Sequence, residues 1–169
     1  ARNGDVQAIA TAPVNKEAFR LAGLPWSGHT DLLAHLTGAS DVAMMFHSEP
    51  LHVVLATVHV ALADVPRLLT QSVMEKTIAL TARELPRFEK IQPRIAVAGL
   101  NPHAGEHGLF GREDMEVITP AIEACRARGI DVTGPFPADT VFVRAHRGAF
   151  DVVVACYHDQ GLIPVKLLA

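Results

Sequence analysis

Four near-continuous apolar runs limit what this chain can fold into more than any other feature: VQAIATAPV (residues 6–14), LHVVLATVHV (51–60), PRIAVAGL (93–100) and FDVVVACYH (150–158). They are rich in β-branched residues and do not alternate with polar ones. Each therefore predicts a strand buried on both faces, which requires a layer of helices on either side of the sheet. The shorter runs VAMMF (42–46) and IDVTG (130–134) predict further strands. Helix-like segments lie between them. NKEAFRLAG and HTDLLAHLTG each close on glycine, residues 65–89 are long enough for two helices, and EDMEVITPAIEACRARG opens on acids and ends on Arg126, Arg128 and Gly129, as the helix dipole favours. Pro120 predicts a kink or a start within that last segment. Strands alternating with helices make an α/β architecture with a mixed or parallel sheet. In such sheets ligands gather beyond the carboxyl ends of the strands, so the residues just after each run are the ones that bear on chemistry.

Composition narrows the partners. With 49% hydrophobic residues among 169 and a formal net charge of -3, the chain can bury a sizeable core and carries no electrostatic footprint for nucleic acid or an anionic membrane. Its longest apolar stretch, LHVVLATVHVALADV, is too short and too interrupted by histidine to span a bilayer. The two cysteines, Cys125 and Cys156, lack CxxC spacing, which argues against a disulfide framework or a cysteine zinc site and for a reducing cytoplasm.

Three of the nine histidines fall at or just past strand ends: His59 after LATV, His103 after AVAGLNP and His158 after VVVACY. Were those strands neighbours, three imidazole nitrogens with an open position could hold a catalytic divalent cation. Zinc suits imidazole, with cobalt, manganese or magnesium as alternatives. Each histidine alone has a plainer role as a hydrogen-bonded loop residue. Asp159 is a partner for a ligating histidine, a substrate contact or an ordinary loop acid; Asp139, in PFPADTVF, is a site residue or a helix cap. His29 and Thr30 open a predicted helix after a glycine, where they either cap it or meet an oxyanion or phosphate. Lys166 either pairs with a substrate anion or is solvated, and Lys16 offers a weaker version of the same choice. His35, His47, His52, His107 and His146 show no informative spacing and take surface or packing roles. No GxGxxG, GxxxxGK[ST], GxSxG or HExxH occurs, so Rossmann, Walker, hydrolase-elbow and zincin readings lack support.

Taken in order, TAPVNKEAFRLAGLPWSGHTD, LATVHVAL, GLNPHAGEHGLFGRED, GPFPADTVF and YHDQGLIPVK resemble the 4-hydroxythreonine-4-phosphate dehydrogenase family of vitamin B6 synthesis and its close relatives, over essentially all 169 residues. The resemblance implies a three-layer α/β/α fold of the isocitrate/isopropylmalate dehydrogenase type with a mixed sheet, a homodimer with its active site at the subunit interface, and NAD-dependent oxidation of a secondary alcohol. It implies that His59, His103 and His158 hold the metal, that His29, Thr30 and Lys166 meet the substrate's phosphate or polar head, and that Asp139 and Asp159 line the site, where either steers a proton or orients a ligand. It also implies that residues 1–169 are the central portion of a longer two-lobed enzyme. Family members carry a substantial portion before this region, and a segment after the PVK strand with most of the nicotinamide contacts. One departure is Asn15, where some members have histidine.

The expected activity is oxidation, with decarboxylation, of 4-phosphohydroxy-L-threonine; dehydrogenation of threonate or erythronate 4-phosphate or of a dihydrodiol is the alternative within the family. A metal-dependent hydrolase or lyase without nicotinamide is the alternative outside it. In the loop after residue 100, Gly105 and Gly108 are expected to let the backbone bend close to a ligand while Pro102 stiffens the approach.

Overall fold

The computed structural model describes residues 3–26, 28–89 and 91–168. The chain divides into two compact units, residues 1–42 and 43–169.

In the first unit the 6–14 run forms no strand. It is irregular and exposed, Val6 at 48% and Ile9 at 59%. An isolated apolar run needs a neighbour to satisfy its backbone donors and acceptors, and every described strand belongs to the second unit. The helices are as expected. α1 (Lys16–Leu21) begins at Asn15, whose side chain accepts from the Ala18 N–H at 2.9 Å. α2 (His29–Thr37) ends at Gly38 in the left-handed conformation, φ 69°, a position that glycine fills without the penalty a Cβ would bring.

The second unit is built on a five-stranded mixed sheet. Its strands are β1 (Met44–Ser48), β2 (Leu51–Leu55), β3 (Ile95–Ala98), β4 (Val132–Phe136) and β5 (Val152–Ala155), in the order β1-β2-β5-β3-β4. β1 is antiparallel to β2, and every other pairing is parallel. Every residue of the IAVA and VVVA strands is buried, the continuous pattern of a sheet covered on both sides.

The alternation of side chains across each strand sorts these residues into two cores. Val54, Val97, Val152 and Val154 pack with Met74, Ile78, Ile122 and Cys125, the buried faces of α4 (Gln71–Glu84) and α6 (Thr119–Ala127). Val53, Leu55, Ala96, Val153 and Ala155 pack with Val141, Phe142, Leu162 and Val165 of α7 (Ala138–His146) and α8 (His158–Leu168). The result is a three-layer α/β/α arrangement. Residues 65–89 hold three helices rather than two: α3 (Val65–Leu68), α4 and α5 (Pro86–Glu89). Pro120 sits in the first turn of α6, directly after a π-helical turn, Asp114–Ile118, where its missing N–H costs little.

The LIPVK segment is a correction. It lies inside α8, with Pro164 in the helix interior, not in a strand. Leu162 and Val165 recur at helical spacing and face the sheet. Gly161 lets α8 approach closely, since a Cβ there would lie 2.6 Å from Leu55 Cδ2 and 2.8 Å from Val53 Cγ1. Among the described residues no helix is long and apolar enough to cross a membrane.

Candidate active site

The strand order places β5 between β2 and β3. The three segments that carry His59, His158 and His103 therefore leave neighbouring parallel strands at the same end of the sheet. Beneath them a hydrogen-bonded layer ties the strand ends together. Thr57 N–H and Oγ1–H both donate to the Cys156 carbonyl, at 3.1 and 2.8 Å. Gln160 bridges outward: its Oε1 accepts from Cys156 N–H at 2.7 Å, and its Nε2 donates to the Gly99 carbonyl at 2.7 Å. The Cys156 thiol donates to the Ala98 carbonyl at 3.2 Å. Complete burial pushes its pKa far up, so it remains a neutral structural thiol rather than a nucleophile.

His59 and His158 face each other, ring centroids 5.5 Å apart and planes tilted by 44°. Both line a cavity of about 490 Å³ together with Val58, Val65, Tyr157 and Asp159. Asp159 Oδ1 lies 2.7 Å from His158 Nδ1. In the neutral ring that partner holds the proton on Nδ1 and leaves the Nε2 lone pair for a cation. Burial raises the phenol pKa of Tyr157 beside them.

His103 occupies a separate cavity of about 600 Å³, with Glu106, His107, Asp114, Pro135 and Pro137 among its lining. Its ring lies 5.9 Å from that of Phe110. Gly105 and Gly108 take the positive φ expected of them, 80° and 93°, and the left-handed run also includes His103, Ala104, Glu106 and His107, with φ between 40° and 56°. Each non-glycine residue held there costs on the order of 1–2 kcal/mol, so something must impose the shape.

Asp114 does so from beneath. This carboxylate, 1% exposed, accepts from Leu100 N–H at 2.8 Å, Asn101 N–H at 3.1 Å and Asn101 Nδ2 at 2.9 Å. Asn101 Nδ2 also donates to Glu113 Oε2 at 2.8 Å. Glu113's own backbone N–H, followed by Asn101, lowers its pKa. Gly99 is required by this packing: a Cβ would fall 2.8 Å from Asp114 Oδ1 and 2.9 Å from Ala104 Cα.

The His59 and His158 rings line one cavity, and His103 lines another. Among the described residues, the group of potential metal ligands gathered within 4.8 Å is a different one, His47, His52 and Glu89. Asp139 lies in the first turn of α7, exposed, just past the end of β4, where its charge complements the helix dipole. Lys166 is exposed in the last turn of α8, eight residues from His158 and so roughly 12 Å along the helix axis. His29, half-buried, and exposed Thr30 form the first turn of α2 in the first unit, with the His29 ring 6.5 Å from Phe19. Asp114 and Gln160 had no sequence signal of their own. The acids of GRED read as a helix start, and the role of Gln160 depends on β3 lying beside β5.

Comparison with known proteins gives a consistent result. Residues 1–169 match the family described as "Pyridoxal phosphate biosynthetic protein PdxA". The chain is 54% identical over 168 residues to 4-hydroxythreonine-4-phosphate dehydrogenase of Beijerinckia indica, covering 99% of this chain and 50% of that protein. It is 53% identical over 168 residues to D-threonate 4-phosphate dehydrogenase of Salmonella typhimurium, covering 99% and 51%. It is also similar to the crystal structure of 4-hydroxythreonine-4-phosphate dehydrogenase from Klebsiella pneumoniae, with a TM-score of 0.95 at 53% identity, covering 99% and 50%. The chain spans about half the length of these relatives.

Proposed function

Because the chain belongs to the PdxA family, we propose that the complete protein is a divalent-metal-assisted, NAD-dependent dehydrogenase that oxidises the secondary alcohol of 4-phosphohydroxy-L-threonine, with decarboxylation, in vitamin B6 synthesis. The observation that carries this reading is the His59/His158 pair at the ends of adjacent parallel strands, its Nε2 side freed by Asp159. The donor set fits a borderline cation, preferably zinc, with His103 as the third imidazole. Such a cation, held by these imidazoles, would supply Lewis-acid polarisation of the substrate hydroxyl, and NAD would supply the hydride acceptor.

The chain's own residues supply the rest. Asp159 orients His158, Asp114 and Gln160 hold the floor of the site, and the left-handed loop presents His103. Asp139 and Asp159 are the acids available to move a proton, and His29, Thr30 and Lys166 are the candidate contacts for the substrate phosphate. A homodimer is the assembly this reading expects, with a shared site drawing ligands from both subunits. Leu109, Phe110 and Met115, exposed around the His103 loop at 72%, 45% and 43%, form apolar surface of the kind a second subunit covers. We place the protein in the cytoplasm, a reading that free, buried Cys125 and Cys156 suit.

D-threonate 4-phosphate is the second substrate reading, supported by the 53% identity to an enzyme of that name. The test is reduced-nicotinamide absorbance from the complete protein with NAD and each phosphate ester, before and after chelation. The proposal expects turnover that chelation abolishes and zinc restores, with kcat/KM ranking the two substrates. Turnover indifferent to metal removal, or substrate consumption without nicotinamide reduction, would refute it.

A further inference from the structure

We infer that His47, His52 and Glu89 form a second divalent-cation site, distinct from the histidine pair and lying at the opposite end of β2. Three elements build it. His47 and His52 are cross-strand partners in the antiparallel register of β1 and β2, so their side chains stand on one face. Their rings stack at 4.3 Å with planes 16° apart. Glu89, the last residue of α5, offers one carboxylate oxygen to both: Oε1 contacts His47 Nε2 and lies 3.9 Å from His52 Nε2.

The three ligand atoms lie within 4.8 Å of one another. Around a tetrahedral zinc with bonds of about 2.0–2.1 Å, ligand atoms sit about 3.3 Å apart. The difference is within reach of side-chain rotation, with the hairpin and helix left in place. One divalent ion shared by the two neutral rings would be balanced by the carboxylate. Two imidazoles and one carboxylate also leave coordination positions open, and these favour zinc or a neighbouring first-row ion over calcium or magnesium.

The surroundings support a cation rather than a closed ion pair. His52 and Glu89 line a cavity of about 260 Å³ with Glu49, His146, Phe150 and Asp151, which provides room for water ligands. His52 is 16% exposed, Glu89 30% and His47 49%, so the site has a solvent side for ion entry. Asp151 does not compete as a ligand. Its two oxygens accept from Arg94 N–H, Nε and Nη2 at 2.7, 2.9 and 2.7 Å.

The test is zinc stoichiometry per subunit on the complete, chelator-stripped protein, measured by equilibrium dialysis. Four proteins are compared: the wild type, His103→Ala, His52→Asn and Glu89→Gln. The inference expects an equivalent of zinc that survives His103→Ala but is lost in His52→Asn and Glu89→Gln, or bound at least tenfold more weakly, about 1.4 kcal/mol. Those two variants keep wild-type turnover and circular dichroism. Cobalt added to His103→Ala gives a visible absorption band that is absent once Glu89→Gln is combined with it. Should the core not tolerate His52→Asn, Glu89→Gln at the exposed end of a four-residue helix carries the same reading. The idea is overturned if both variants bind as much zinc as the wild type, or if the only zinc bound is the equivalent that disappears with His103. Either result leaves the dehydrogenase assignment intact.

Discussion

Asp114→Asn is the substitution that bears most directly on how the His103 loop is held. The carboxylate accepts three hydrogen bonds, from Leu100 N–H, Asn101 N–H and Asn101 Nδ2, in a side chain that is 1% exposed. The amide keeps one oxygen. Placed where Oδ2 sits, that oxygen still accepts from both Asn101 donors, and the NH2 group turns toward Leu100 N–H. One hydrogen bond to a charged acceptor is lost and donor faces donor. Such a bond is worth roughly 1.5–3 kcal/mol. For a donor that is only part-buried the lower end applies, about 1.5 kcal/mol. That is a sizeable share of an ordinary domain's margin of about 5–15 kcal/mol, and at about 2–4 °C per kcal/mol it lowers the melting midpoint by roughly 3–6 °C. The assay is a thermal melt of the complete protein alongside amide exchange at Leu100 and Asn101. Leu100 N–H should lose more protection than Asn101 N–H, and turnover should fall because the stretch that leads into the His103 loop is held less firmly. A midpoint within about 1 °C of the wild type, with unchanged protection at these two amides, would refute the claim that this carboxylate shapes the loop.

Two further outcomes concern the packing of α8 and the Arg94–Asp151 pair. Gly161→Ala places a Cβ 2.6 Å from Leu55 Cδ2 and 2.8 Å from Val53 Cγ1, both on buried β2 residues; the overpacking should cost about 1–3 kcal/mol, read as a lower urea midpoint. Asp151 has a depressed pKa, chiefly through its hydrogen bond from Arg94. Its folded value lies below the unfolded value of about 3.9, so its stabilising contribution is present above that pH and is lost as pH falls through the folded value. The wild type should therefore lose stability from about pH 4 downward more steeply than Asp151→Asn, as measured by urea midpoints across that range.

Much of the fold is legible in local pattern, because period and burial are local properties. VVVA and IAVA are continuous apolar runs because both faces of the central strands are covered, and Gly38 ends α2 where a left-handed residue is needed. The histidines after β2, β3 and β5 could be singled out for the same reason: the end of a buried run marks the end of a strand. Pattern cannot say which strands pair. Residues 6–14 carry as strong an apolar signal as β3 but form no strand, and the first unit holds no described strand to pair with them; a strand without a ladder partner leaves its backbone groups unpaired.

What the amino-acid order determined by itself was a sheet covered by helices on both faces, with histidines where its strands stop. Tertiary structure alone decided that β5 lies between β2 and β3, which brings His158 to His59 and lets Gln160 reach Gly99. It also decided that a hairpin and the end of α5 bring His47, His52 and Glu89 together. The physical reason is that a side chain's period reports the face it occupies, whereas its partners depend on contacts between residues tens of positions apart. Those contacts form only when the whole sheet closes on its two cores.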